Sequence, residues 1–568
     1  MSAIPSDLEI AQNAKLKPVG EIARDLGISD DELEPYGKYM AKINLSILDR
    51  LKSHKSGKLI CVTAITPTPL GEGKTVTTIG LGQSLNKLGY RACNTMRQPS
   101  KGPTFGIKGG ACGGGYSQAL PMDKINLHFT GDFHAVETAN NLLNAMLDAS
   151  ILHGNPLDVD VDNITLRRCV DLSDRPLRQI IIGLGGKNNG ILRETGYDIT
   201  VATEVMAILA LAMGLKDLKE RLSRMVVGYT AKGKPVTAAD LKASGAMTVL
   251  MMDALMPNLV QSTENTPIII HAGPFANVAH GNNSCLADMV ALKLADYVVT
   301  EAGFGADCGF EKMVNIKCRQ SGLKLDGAVV VATVRALKMH GGAFEAKPGK
   351  PMNKELVAKP NMPALKKGFA NLAKQIENVT VHGVPAVVAI NRFTTDTDEE
   401  VAFIIEAAKN AGAADAVLSE VWAKGSGGGR ELAEAVVKAV GKPHQMKLLY
   451  PDSYSIKQKI ETIAKTIYGA DGVDYLPEAE KKIKLYSKLG YDRLPINMAK
   501  THLSLSHDPT LKGAPKGFRI PVRDIRASVG AGFLYPILGD MRTMPGLPSV
   551  PAAAAVDLDA QGRPMGLF

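Results

Sequence analysis

Aromatic residues are scarce. Phe, Tyr and Trp together make up 5% of the chain, with a single Trp. That is too few for a nucleic-acid surface built on stacked rings, and thin for a β-sandwich. Cysteine is sparse too: there are seven, scattered from Cys61 to Cys318, and no CxxC pair. This spacing argues against a thiolate zinc site, and the odd number against a secreted disulfide framework. His271, His280 and Cys285 match no zinc spacing either and read as structural residues. Every apolar run is broken by charge, Gly or Pro before the ~20 residues that a membrane span needs. There is no long Lys/Arg arm and no internal repeat, so neither nucleic acid nor membrane is expected as a partner. The opening MSAIPSDLEI has acidic residues and no apolar segment. No secretory signal is expected, and the expected location is cytoplasmic.

What is present is ordinary globular material: 45% apolar and 22% charged residues, within the range of a folded protein rather than a disordered one. A length of 568 residues suggests three to five domains, or a large α/β core with smaller appended domains. The net charge of +9 reads either as a mildly basic surface or as a basic cleft for polyanionic substrates.

Residues 1–56 show apolar spacing of the helical kind. KLICVTAIT (58–66) reads as a buried parallel strand, followed by a glycine loop and a helix that stops at Gly89. Further strands are expected in 178–185, 265–273, 295–303, 327–337 and 383–393, and helices in 202–214 and 284–295. Strands alternating with helices indicate a mostly parallel sheet covered on both faces. Residues 97–135 are crowded with Gly and Pro yet keep Arg97, Lys108, Asp123, His128, Asp132 and His134, which marks an ordered binding loop rather than a tether. A helix is expected from about Asp132.

The loop Thr68-Pro-Leu-Gly71-Glu72-Gly73-Lys74-Thr75 is close to a Walker A loop, with Thr68 where that pattern begins with Gly. The strand before it and the helix after it are the expected context. Backbone N–H groups at the helix start face phosphates, Lys74 reaches the outer phosphates, and the Thr75 hydroxyl suits magnesium. Gly71 and Gly73 let the backbone curl close to an anion. The loop points to ATP and leaves the acceptor open.

PTPLGEGKT, RQPSKGPTFGIKGGACGGGYSQALPMDKINLHFTGDFHA and TEAGFGADCGFEK together resemble the formate–tetrahydrofolate ligase family. The resemblance continues into NRFTTDTDEE, SEVWAKGSGG, AKTIYGADGV and TMPGLP, almost the full length. It implies an α/β fold: a large P-loop NTPase-like domain at 1–360, a second α/β domain at 361–465 that supplies folate-stacking residues, and a third domain at 466–568. The implied assembly is a homotetramer. The implied reaction joins formate to tetrahydrofolate, using Mg-ATP, through formyl phosphate, to give 10-formyltetrahydrofolate, ADP and phosphate.

Residue by residue, the resemblance makes Lys74 the phosphate-binding lysine and Arg97 the arginine that holds formate or formyl phosphate, a role that suits a guanidinium fork. Asp132 lies near the transferring group, as a base or an orienting residue, and also fits a helix N-cap. Phe393 and Trp422 match the pair of rings that sandwich the pterin. Gly303, Gly305 and Asp307 match a loop beside adenine and ribose. The family often places an acidic residue next to the arginine, linked to a monovalent cation; Gln98 stands here, an amide whose carbonyl oxygen remains a ligand of the right kind. Two rival readings are a P-loop ligase for another carboxylate, which needs no pterin slot, and a partner-driven ATPase switch, which has no use for Arg97.

Overall fold

The apolar runs become strands because they are buried on both sides. The computed structural model describes residues 5–108, 111–345 and 353–567, and its central feature is one twelve-stranded sheet. Its strands are β1 (Leu33–Pro35), β2 (Ala41–Ile43), β3 (Lys58–Ala64), β4 (Ala92–Met96), β5 (Gly113–Gly114), β6 (Ser117–Leu120), β7 (Asn258–Ser262), β8 (Pro267–Ile270), β9 (Tyr297–Glu301), β10 (Gly327–Ala332), β11 (Ala386–Asn391) and β12 (Asp415–Ser419). The order across the sheet is β1-β2-β7-β8-β4-β9-β3-β10-β11-β12, and β6 with β5 joins at β7. From β8 to β12 every pairing is parallel. The β1, β2, β6 and β7 side is antiparallel.

Alternate residues of the parallel strands feed two cores. Leu59, Cys61, Val298, Val330 and Val388 pack against Cys285–Leu294 (α3), Met362–Thr380 (α5) and Asp398–Asn410 (α6). Ile60, Val62, Val299, Val329 and Val331 face Lys74–Lys87 (α1) and Arg430–Val440 (α7). Helices thus cover both faces, as a parallel sheet requires. Two further helices matter for the site: Asp132–Leu152 (α2), and Val334–His340 (α4), which directly follows β10.

Between β6 and β7 the chain builds a mainly helical unit with its own core, including Leu143, Leu147, Ile208 and Leu222. A further core begins at Tyr450 and runs to Leu538. The division expected at residue 360 falls on the connection from β10 to β11, two neighbours in the same sheet, and the expected division at 465 lies inside the core that begins at Tyr450. Two local expectations differ from the structure. Residues 178–185 contain a short strand, Ile180–Ile182, but it pairs only with Arg193–Thr195 in a two-stranded hairpin outside the main sheet. Ile181 is left 60% exposed there. Residues 1–56 are not helical throughout: β1 and β2 interrupt them.

Candidate functional site

All seven parallel strands end on one edge of the sheet, and the chemistry-bearing residues follow those ends. Past β3 comes the glycine loop, past β4 Arg97 and Gln98, past β8 residues 271–274, and at the end of β9 Glu301. Arg335 lies just past β10, Phe393 past β11 and Trp422 past β12. The connection from β3 runs to one side of the sheet and the connection from β9 to the other. This is the switch point where open parallel sheets leave a crevice for ligands.

The glycine loop is held as a closed turn. Glu72 Oε1 accepts from the Thr68 N–H (2.7 Å) and the Thr68 hydroxyl (2.9 Å), and the Gly71 N–H returns to the Thr68 carbonyl (3.2 Å). Thr68, the departure from the usual glycine, is thus the residue that ties the loop shut. Gly73 caps α1 at φ 78°, the left-handed region, and a Cβ there would lie 2.7 Å from Asn391 Nδ2. Only glycine fits both constraints. Asn391 donates to the Glu72 carbonyl (2.7 Å) and accepts from Thr77 (3.1 Å), pinning the loop to β11.

Lys74 is the first residue of α1, beside unpaired helix N–H groups that attract anions. Burial pushes its ammonium pKa down; Glu72 and Glu301 pull it back up, and Arg97 lowers it again. Burial raises the Glu72 carboxyl pKa, with Lys74 opposing. Thr75 Oγ1 donates to Glu301 Oε2 at 2.8 Å, and Arg97 approaches the other oxygen, Oε1, at 3.8 Å. One carboxylate at the end of β9 therefore joins the glycine loop to the arginine after β4. Arg97 also donates to the Pro274 carbonyl (3.2 Å), while its Nε is buried without a partner. Gln98 is buried, its N–H bonded to the Ala272 carbonyl (2.7 Å) and its side-chain Oε1 unpartnered.

Asp132 is the first residue of α2; Gly131, not Asp132, is the N-cap. Its two oxygens are taken by Lys42 Nζ (2.7 Å) and Asn258 Nδ2 (2.7 Å). Lys42 also reaches the Met256 carbonyl and Asn258 Oδ1, so this buried ion pair is fully hydrogen-bonded. The cluster lies at the β8 end of the edge, since Asn258 pairs with Ile270. Next to it, His271 bonds Ser284 Oγ and the Ala254 carbonyl, both at 2.7 Å, and burial takes its pKa down to about 4. Among the described residues no group of three or more His, Cys, Asp or Glu is placed to hold a metal.

Gly303 and Gly305 line the turn after β9. The Asp307 carboxylate is fully engaged: Lys500 Nζ lies 2.7 Å from Oδ2, and Gln375 Nε2 donates to Oδ1 at 2.8 Å. It ties the turn to the C-terminal part of the chain. Between these glycines Phe304 adopts φ 62° and stacks on His502 at 4.2 Å. Phe393 is half-buried, with the Arg335 guanidinium 3.6 Å over its ring centroid. Trp422 is 43% exposed, and its carbonyl accepts from the Tyr116 N–H at 2.9 Å. A Cβ on Gly115 (φ 56°) would fall 2.0 Å from that carbonyl, so glycine is needed for this approach. Phe393 and Trp422 leave neighbouring strands, with Asn391 paired to Ser419. The glycine-rich segment carries β5 and β6; Gly109, Gly110 and the Lys108 side chain lie outside the described residues.

Sequence reasoning missed Glu301, Arg335, Asn391, Lys42 and Asn258. Glu301 carried a readable signal, an acid closing a buried strand. The others become visible only as partners of residues far away in the chain.

Comparison with known proteins adds a second line of observation. A family model described as formate–tetrahydrofolate ligase matches residues 5–568. A formate–tetrahydrofolate ligase of Desulforamulus reducens is 60% identical over 568 residues, covering 100% of both chains. One from Roseiflexus sp. (strain RS-1) is 56% identical over 562 residues, 99% of this chain and 100% of its own. One from Saccharopolyspora erythraea is 54% identical over 564 residues, again 99% and 100%.

Proposed function

The chain belongs to the formate–tetrahydrofolate ligase family, and from that premise we infer that it joins formate to tetrahydrofolate at the expense of ATP. The product is 10-formyltetrahydrofolate, released with ADP and phosphate. A formate oxygen attacks the γ-phosphorus as the bond to ADP breaks, giving formyl phosphate. N10 of tetrahydrofolate then attacks the formyl carbon, loses its proton, and phosphate leaves. The observation that carries the reading is the meeting of Lys74, Thr75, Arg97 and Glu301 on one sheet edge in a chain matched end to end by the family.

The loop is a P-loop in function. The first N–H groups of α1 and the Lys74 ammonium hold the outer phosphates, and Lys74 balances charge on the group in transfer. Arg97 holds the small anion; its unpartnered Nε and its loose 3.8 Å approach to Glu301 leave the fork free to turn toward one. Thr75 Oγ1 and the Glu301 carboxylate are hard oxygen donors, and they would hold magnesium, which when bound neutralises charge on the phosphate oxygens. Gln98 Oε1, buried and unpartnered, is the oxygen available to a monovalent cation. Asp132 orients rather than takes a proton, because both its oxygens already have donors. Gly303 and Gly305 border the adenine and ribose side, and there Asp307 serves to hold the turn. Phe393 and Trp422, just past the ends of neighbouring strands, flank the pterin ring. The family resemblance implies a homotetramer, and the ordinary composition and sparse, scattered cysteines suit a reducing cytoplasm.

The test is tetrahydrofolate-dependent formation of 10-formyltetrahydrofolate from formate and MgATP, in wild type and Arg97→Ala. The expected result is turnover that requires all three substrates and falls at least 100-fold in the variant. ATP hydrolysis indifferent to formate, with no formyl product, would favour a partner-driven ATPase instead.

A further inference from the structure

The ring expected to stack on the pterin is already in use on one face. The Arg335 guanidinium carbon lies over Phe393, 3.6 Å from the ring centroid. The same guanidinium donates through one nitrogen to the Leu70 carbonyl (2.9 Å) and, more weakly, to the Gly71 carbonyl (3.4 Å). Leu70 and Gly71 are the tip of the phosphate-binding loop. Sheet order explains the bridge: β10, which leads into Arg335, lies between β3, which leads into the loop, and β11, which leads into Phe393. The side chain is also poorly supplied with other partners. Its Nε is buried and unbonded, and among the described residues no carboxylate hydrogen-bonds to it; Asp396 and Glu72 act on it as nearby charges. Asp396 instead accepts from the Phe393 N–H at 2.8 Å, holding the start of the loop that carries the ring.

We propose that Arg335 is a positioning residue that couples the two substrate sites, linking stacking on Phe393 to the closed form of the phosphate loop. The proposal rests on Phe393 being a pterin-stacking residue. Because Arg335 covers one face, a pterin occupies only the opposite face. A ring held there fixes Phe393, a fixed Phe393 fixes the guanidinium on its other side, and the guanidinium holds two loop carbonyls. Those carbonyls belong to the turn that Thr68 and Glu72 close. Linkage is reciprocal, so nucleotide that orders the loop must tighten tetrahydrofolate binding by the same factor. Lysine cannot reproduce the device: it can reach a carbonyl but has no plane to stack.

The experiment measures tetrahydrofolate affinity with and without a saturating non-hydrolysable MgATP analogue, reading the fluorescence of Trp422, the only tryptophan. Wild type, Arg335→Lys, Arg335→Met and Phe393→Leu are compared. Wild type is expected to show at least fivefold tightening by nucleotide. In Arg335→Met the factor falls to within twofold of unity, Arg335→Lys lies between, and Phe393→Leu weakens folate at least tenfold. Arg335 variants that lose affinity for each substrate but keep the wild-type factor would show a merely structural residue and overturn the proposal. So would a wild type without tightening. Unchanged folate affinity in Phe393→Leu would instead overturn the placement of the pterin, and the coupling with it.

Discussion

Single side chains at this edge do more than one task each. Glu301 is the clearest case, because it accepts from Thr75, approaches Arg97, and acts on the charge of Lys74. Glu301→Gln keeps the shape and removes the charge. It is expected to lower kcat by about 10–100-fold and to raise the magnesium concentration needed for half-maximal rate, since the carboxylate that meets Thr75 and Arg97 has lost its charge. A magnesium titration at saturating ATP reads both effects; an unchanged requirement would remove Glu301 from the metal's neighbourhood. At this scale Lys74 and Thr75 stood out as candidates through motif spacing, and Arg97 only through the family resemblance. Lys42 was not: it is a buried cation whose partners, Asp132 and Asn258, stand far off in sequence.

Elements carry the next level of explanation. The glycine loop works because β3, α1 and β11 are locked together through Gly73 and Asn391. Gly73→Ala meets two costs, a left-handed φ of 78° and a Cβ 2.7 Å from Asn391 Nδ2. The strain is roughly 1–2 kcal/mol. With Asn391 displaced, affinity for a MgATP analogue is expected to fall at least tenfold while the fold persists, as calorimetry with circular dichroism will show. Strand-loop-helix was readable from the run KLICVTA followed by GEGKT. Ile180–Ile182 is a strand as expected, yet it pairs in a hairpin outside the main sheet, because three isoleucines in a row do not show which strand they will meet. The edge strand β1 and its neighbour β2 were missed because three-residue strands leave too little periodicity to detect.

At the scale of the whole molecule, distant segments close on the sheet edge. Asp307 with Lys500 and Phe304 with His502 bring the C-terminal part of the chain onto the turn after β9. Glu204 fastens the helical unit to the turn at Gly530 and Ala531 through N–H bonds of 2.7 and 3.2 Å. Burial raises its carboxyl pKa to about 7, with those N–H bonds opposing. An acid whose pKa rises on folding stabilises below its unfolded pKa, and that contribution is lost as pH climbs through the folded value. Glu204→Gln stays neutral and keeps an acceptor for both N–H groups. Its stability relative to wild type is therefore expected to rise from pH 5 to pH 8, by about 2 kcal/mol. Denaturant unfolding at both pH values checks this, and a difference independent of pH would assign Glu204 no titrating role.

The amino-acid sequence by itself determined the buried parallel strands, the glycine loop between strand and helix, and the family, because local patterning and ordered motifs survive without any knowledge of contacts. The tertiary structure alone decided that β11 and β12 continue the sheet of β3, that Asp132 and Asp307 are spoken for by lysines, and that Arg335 covers one face of Phe393. Each of these depends on which strand ends lie side by side. Strand order is set by packing both faces of the sheet at once, a condition that no stretch of sequence satisfies alone.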